Sequence, residues 1–324
     1  MGNKAIINKL KNQVIELLKD SISQEDTERC INEIHNCFQT ITGITGYDTK
    51  IEYMAAVPAA KGKALGLNFA AQCLLDYQRT AKFLRAIYAA INEEKEKNPG
   101  VVVELFYAGC GPYAPFLTLI APLFTANEVQ FSLLDINNNS LSSAKKLIQA
   151  FELSDYIKEI HLADAVTIEV SKAMDCQILI SETLDALLYR ECYVPILFNL
   201  LPQFKKDVIL IPENVLINLS IQTETDQNEE INLLNVREAL LAYSNCSELP
   251  KLFSEKSIEL EALESAQKIT LDTKVHIYRN YWLNKSESSL TLPYELNLNN
   301  ESNQSAIDFI YQLEPEIELS YELK

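Results

Sequence analysis

Five short apolar runs between Val101 and Pro212 constrain this chain more than any other feature. They read "VVVELFYA", "VQFSLLDI", "YIKEIHLAD", "CQILISE" and "DVILIP". Each is short for a helix and carries β-branched residues, the pattern of a buried strand. A helical pattern, "SLSSAKKLIQAFE", separates the second run from the third. Buried strands alternating with helices predict a parallel sheet covered on both faces, so the expected class is α/β over residues 61–212.

The flanks differ from this centre. Residues 1–60 read as helices: "NKAIINKLKNQVIELLKDSI" has helical apolar spacing, and "SQEDTERCINEIHNCF" opens with Ser23 and Asp26 in capping-box positions. The stretch "LNFAAQCLLDYQRTAKFLRAIYAAINEEKEK" predicts one long helix before Asn98, Pro99 and Gly100. After Pro212, "ENVLINLSIQTE", "KVHIYRNYWL", "SLTLPYELNL" and "AIDFIYQLE" predict antiparallel strands. Residues 213–324 are therefore expected to form a smaller β-rich domain, with a charged helical insert near 228–267.

The carboxyl ends of the central strands hold the candidate chemistry. The first run ends in Gly109-Cys110-Gly111, and Gly111 is the last of the chain's eight glycines. A Gly-x-Gly turn after a strand lets the backbone approach a ligand lying across the strand ends. The second run ends in Asp135, followed by Ile136; an acid there suits the two hydroxyls of a ribose. The third ends in Asp164-Ala165, where a carboxylate can accept from an exocyclic amine such as that of adenine. The fourth ends in Glu182. No phosphate-binding G-x-x-x-x-G-K-[ST] loop occurs, and the third glycine of the dinucleotide pattern is missing, with Pro112 and Tyr113 in its place. An adenosine without phosphates, flanked by carboxylates, predicts S-adenosylmethionine (AdoMet), which carries a sulfonium and an ammonium.

Arg79 interrupts the apolar line Leu75, Phe83, Ile87 at helical spacing. An inward arginine needs a partner. It is expected to fork the carboxylate of AdoMet, the alternative being an ion pair with Asp76.

Composition narrows the rest. A net charge of −17 opposes nucleic acid and anionic membranes. Seven cysteines without a C-x-x-C pair suggest free thiols and a cytoplasmic setting. Three dispersed histidines predict no metal site. "MGNKAIINKL" has no apolar signal core, and no segment is long enough to span a membrane.

Together "LLDYQRT", "FYAGCGP", "LLDI", "LAD" and "ILISETLDALLYRE" resemble the protein arginine methyltransferases. The resemblance covers roughly residues 65–220 well and the rest loosely. It implies a Rossmann-like AdoMet domain followed by a β-barrel domain, often as a homodimer. It places the cofactor on Arg79, Gly109, Cys110, Gly111, Asp135, Ile136, Asp164, Ala165 and Glu182. It also makes Glu182 and Glu191, nine residues apart, the "double-E" pair that holds a substrate guanidinium. Tyr107 stands where the family has an acid, the Y-F-x-x-Y motif is not visible, and no T-H-W loop follows. The expected activity is methyl transfer to a nitrogen of a small metabolite, a biosynthetic peptide or protein arginine. The alternatives are an O- or C-methyltransferase, a non-catalytic AdoMet-binding scaffold, and a dinucleotide oxidoreductase.

Overall fold

A computed structural model describes residues 3–223, 228–259, 266–296 and 305–324. The five apolar runs are strands β1 (Val103–Ala108), β2 (Val129–Asp135), β3 (Ile157–Leu162), β4 (Ile178–Ser181) and β5 (Ile209–Ile211). They form one sheet in the order β3-β2-β1-β4-β5, parallel throughout. The chain moves one way from β1 to β3 and then returns to the other side of β1. The strand order thus reverses between β1 and β4, and a crevice opens outside the carboxyl ends of strands at such a point.

Two N-terminal helices, α1 (Asn3–Leu17) and α2 (Gln24–Thr42), pack on the helices that flank this sheet. The Ser23 hydroxyl caps α2 by accepting the Asp26 N–H. Cys30, Ile31, Ile34 and Phe38 form its buried face. The Phe38 ring lies 5.3 Å from that of Tyr113 and 5.8 Å from that of Phe151. Tyr113 in turn donates its hydroxyl to Ile44 O at 2.7 Å. The helical region is therefore built into the same core as the glycine turn.

The expected long helix is interrupted. Leu67–Gln72 is a short helix, Cys73–Leu75 a 3-10 turn, and α3 runs from Tyr77 to Lys97. Asp76 causes the break: its backbone leaves the helical region and its carboxylate accepts the Arg79 N–H. The same carboxylate accepts Ser288 Oγ, Ser289 N–H and Ser289 Oγ at 2.7–2.8 Å. A second helix thus starts at Asp76, with Arg79 in its first turn. Helix α4 (Asn138–Ala150) follows β2, capped by Asn137, and α5 (Tyr193–Leu200) follows the loop after β4. The sequence reading missed α5 because "YVPILFNL" is apolar nearly all round, and buried helices carry no amphipathic period.

The C-terminal region holds two antiparallel sheets. Strands β6 (Asn214–Thr223), β7 (Asn228–Asn235), β8 (Leu252–Glu259), β9 (Ala266–Tyr278), β10 (Tyr281–Leu283), β11 (Ala306–Gln312) and β12 (Glu318–Leu323) build them. The orders are β10-β9-β6-β7 and β8-β11-β12. The expected helical insert is mostly strand, with only α6 (Val236–Ala242) helical; residues 260–265 lie outside the described set. Its charges mislead, because "NEEINLLN" pairs along β6 and sends its glutamates outward. "KVHIYRNYWL" is the β9–β10 hairpin, and "SLTLPYELNL" holds a 3-10 turn at Ser289–Thr291 with a two-residue strand. Strand β12 was not expected. Helix α3 meets this region directly: Lys82 donates to Trp282 O at 2.8 Å, and Arg279 pairs with Glu93.

Phe38 is fully buried where α2 meets the α/β core. Phe38→Ala should lower unfolding free energy by about 3–5 kcal/mol. Ile15→Ala, at a site 42% exposed, should change it little. Urea melts of the two variants check this; equal losses would place α2 outside the cooperative core.

Candidate active site

The glycine turn closes β1. Gly109 has φ 69° and Gly111 φ 67°, the left-handed region that favours glycine. The N–H groups of Gly109 and Cys110 both donate to Leu134 O, at 2.8 and 3.1 Å. A Cβ on Gly109 would lie 2.3 Å from Thr183 Cγ2, so the turn passes hard against the loop after β4. A Cβ on Gly111 would meet nothing within 4 Å. Its N–H donates to Asp135 Oδ2 at 2.8 Å, and Asn137 N–H donates to Oδ1 at 2.7 Å. Burial pushes the Asp135 carboxyl up to about 6 against those two N–H donors. Asn137, not Asp135, caps the following helix, which leaves Asp135 aimed at the cleft wall. Cys110 is buried and its thiol is pushed well above its usual range, so it serves as packing rather than as a nucleophile.

Beyond β3, Asp164 accepts Val166 N–H at 2.8 Å through Oδ1 and Ala60 N–H at 2.6 Å through Oδ2. Ala60 sits in the tight turn of a ribbon, Val57–Pro58 paired with Lys63–Ala64. Gly62 lets this ribbon come close. A Cβ there would lie 2.7 Å from Arg190 O and 2.8 Å from Ile317 Cδ1. Asp164 therefore pins a flap from the N-terminal side onto the sheet edge. The sequence did not reveal this tie, which joins residues far apart in the chain.

Arg79 and Glu182 form an ion pair, with side chains only 8% and 9% exposed. The guanidinium does not pair with Asp76: that carboxylate is occupied by Ser288 and Ser289, and its link to Arg79 is to the backbone N–H. The other Glu182 oxygen, Oε1, is buried without a hydrogen-bond partner among the described residues. Burial raises the Glu182 carboxyl above its usual range, against the pull of Arg79. Glu191 is pushed up to about 8 by burial and by the nearby Asp185 and Glu182 carboxylates. Asp185 is pushed up to about 7 by burial, against backbone N–H donors of its own loop, and its Oδ1 is also unpaired. The sequence reading gave Asp185 no site role. Its place three residues after Glu182 was the available signal.

The loop from Glu182 to Glu191 is strained. Leu187, Leu188 and Arg190 have φ of 59°, 54° and 74° without being glycine. Left-handed backbone costs about 1–2 kcal/mol per such residue, and strain of this kind clusters at functional sites. The Arg190 guanidinium lies 4.3 Å from the centre of the Tyr189 ring and faces solvent. Its charge lowers the Asp185 carboxyl, but by less than burial raises it.

Arg79, Gly109, Cys110, Gly111, Asp135, Ile136, Asp164, Ala165, Glu182 and Glu191 all line one cleft. The cleft encloses about 1090 Å³, its open mouth included. Lys63, Tyr107 and Thr183 also line it and were not among the expected site residues. Tyr107 is buried and burial raises its phenol well above the usual range, so it presents a neutral hydroxyl beside the turn. Among the described residues no helix is long and apolar enough to cross a membrane, and no three His, Cys, Asp or Glu side chains cluster as metal ligands would.

No family model matches the chain, and no curated protein matches it. Among solved structures it is similar to one described as the Trypanosoma brucei PRMT1 enzyme-prozyme heterotetrameric complex with AdoHcy. The identity is 12%, the match covers 79% of this chain and 96% of that one, and the TM-score is 0.48.

Glu191 has a direct consequence for stability. Its folded pKa of about 8 lies above the ordinary 4.5, so the folded state holds the proton more tightly. The stability this gives is complete below about pH 4.5 and is lost as pH rises towards 8. Glu191→Gln should therefore be more stable than the native chain at pH 8, by roughly 4 kcal/mol, and similar to it at pH 4.5. Thermal melts across that range check this. Native and variant midpoints that stay parallel would contradict it.

Proposed function

We propose that this chain is an AdoMet-dependent methyltransferase that acts on a cationic nitrogen. The observation that carries the reading is Glu182: a buried carboxylate at the switch point, with one oxygen on Arg79 and the other unpartnered. A buried acceptor atom without a donor is costly and calls for a ligand that supplies one. With Glu191 and Asp185 nearby, the fitting donor is positively charged.

The cleft residues fit the cofactor. The left-handed Gly111, with open space where its side chain would be, allows close approach of a ligand. Asp135 keeps acceptor capacity beyond its two backbone donors and would take the ribose hydroxyls. Asp164, Ala165 and Ile136 would border the adenine, and Cys110 would support the turn. Arg79 would fork the amino-acid carboxylate, released from Glu182 as it does so. When bound, AdoMet supplies an electrophilic methyl group on a sulfonium.

Glu182 and Glu191 then have the acceptor to themselves. Their carboxylates orient the acceptor nitrogen and offset its charge as it attacks. A new N–C bond forms while the S–C bond breaks. The proton lost from nitrogen passes to a carboxylate, for which the raised Glu191 is suited. A guanidinium holds its proton firmly in water, so for that acceptor the transfer belongs with attack or after it; an ammonium has no lone pair and gives up its proton to the carboxylate before attack. The acceptor class is a small metabolite, a peptide or a protein side chain. A second copy of the chain is the expected partner, read from resemblance alone.

Two variants test the assignment in opposite directions. Arg79→Met should weaken AdoMet binding by about 2–3 kcal/mol. Glu182→Gln should lower turnover by about 100-fold or more. It should leave AdoMet affinity unchanged or stronger, since Arg79 loses its competing partner. Calorimetry with AdoMet and incubation of labelled AdoMet with size-fractionated host extract give both readouts and identify the acceptor fraction. The reading fails if Arg79→Met binds AdoMet normally, or if Glu182→Gln keeps full turnover.

A further inference from the structure

The loop that carries Glu182 and Glu191 has a shape its own sequence does not favour. Leu187, Leu188 and Arg190 all stand in the left-handed region, and none is a glycine or an asparagine. Such residues persist only where the surroundings over-determine them. Here the surroundings are the C-terminal region and the Val57–Ala64 ribbon. Leu187 N–H donates to Thr273 Oγ1 at 2.7 Å, and the Tyr311 hydroxyl donates to Leu188 O at 3.0 Å. Arg190 N–H donates to Ile317 O at 2.9 Å, and Lys63 N–H donates to Arg190 O at 3.1 Å.

Two of these four ties are side-chain hydroxyls. Thr273 lies on β9 and Tyr311 on β11, in different sheets, yet both reach the same dipeptide. Thr273 is 0% and Tyr311 1% exposed, so no water can replace either hydroxyl. Neither residue lines the cleft. We infer that Thr273 and Tyr311 are positioning residues whose hydroxyls hold Leu187 and Leu188 left-handed and so set the aim of Glu182 and Glu191. The inference rests on the acceptor role proposed for those two glutamates.

The physical argument is one of peptide orientation. A left-handed residue turns its peptide groups away from the direction a right-handed one would give. Without a donor on Leu188 O or an acceptor for Leu187 N–H, a buried polar group is left unpaired, and the peptide gains by rotating. Glu191 follows Arg190 directly, so a rotation upstream displaces its carboxylate from Glu182. The C-terminal region therefore contributes to the site through backbone geometry, without touching a ligand.

Thr273→Val and Tyr311→Phe keep the side-chain shape and remove one hydroxyl each. Three readouts follow: amide hydrogen exchange at 187–191, calorimetric binding of S-adenosylhomocysteine, and binding of agmatine, a small guanidinium probe, in its presence. Both variants should exchange faster across the loop and bind agmatine about fivefold or more weakly, with S-adenosylhomocysteine held within about twofold. Thr273→Ser should behave as the native chain. Tyr243→Phe removes a hydroxyl bonded to Phe253 O at 3.2 Å in the same region, away from the loop, and should move none of the three readouts. Unchanged exchange in Thr273→Val and Tyr311→Phe would overturn the inference. So would faster exchange with unchanged agmatine affinity. Failure of agmatine to bind the native protein would instead sink the acceptor role, while loop exchange still decides whether the hydroxyls hold the loop.

Discussion

The buried pair between Arg79 and Glu182 is the contact on which the site's geometry depends. Two charges, each less than a tenth exposed, face each other at the switch point of the sheet. Burying an ion pair is a poor way to gain stability, because the lost hydration is large and the attraction seldom exceeds it by much. Breaking such a pair from one side is strongly destabilising. A buried pair inside a cleft, with one oxygen unsatisfied, is therefore better explained by the ligands that can divide it. A carboxylate can take the guanidinium, and a cation can take the glutamate. Neither exchange leaves a bare charge only if both occur together.

Every element near the pair serves to place its two halves. Asp76 ends the preceding turn and restarts the chain as α3, which puts Arg79 in a first turn aimed at the sheet. The serines at 288 and 289 hold Asp76 in that role from the C-terminal side. Glu182 leaves β4 against the glycine turn, so close that Gly109 admits no side chain. The C-terminal sheets thus grip the site twice, at the start of α3 and at the strained loop, although their residues stay outside the cleft.

Much of the fold was legible because its signals are local. Five strands, the glycine turn and acids at successive strand ends all lie within short windows of sequence. Their convergence on one cleft follows from strand order, since parallel strands put their carboxyl ends on the same side. The break at Asp76 was not legible: periodicity runs through "CLLDYQRT" unbroken, and only the distant serines show why the helix stops. The partner of Arg79 was hidden for the same reason, because Glu182 lies beyond four intervening strands. The insert misled because charge was read as helix, while Glu229 and Glu230 lie exposed on an edge strand. Nothing in "DALLYRE" announces left-handed backbone, since leucine and arginine avoid it unless held.

The charge balance of the cleft is set at the carboxyl ends of its strands. Tyr107 is neutral, so negative charge concentrates at Asp135 and at the loop bearing Glu182, Asp185 and Glu191. Burial raises all four carboxyls, and Arg79 is the one buried cation among the described cleft-lining residues. Glu182 and Glu191 both feel the Arg79 charge, and one guanidinium cannot balance both carboxylates without water to screen them. Burial makes Glu182 and Glu191 hold their protons more tightly than free carboxyls do, so the charge of the cleft responds to what enters. An arriving cation favours the ionised form of the acid it meets and displaces a proton from it. A neutral ligand gains no such exchange. The burial of the acids thus favours a positively charged ligand over a neutral one, which is the physical support for the acceptor class proposed above.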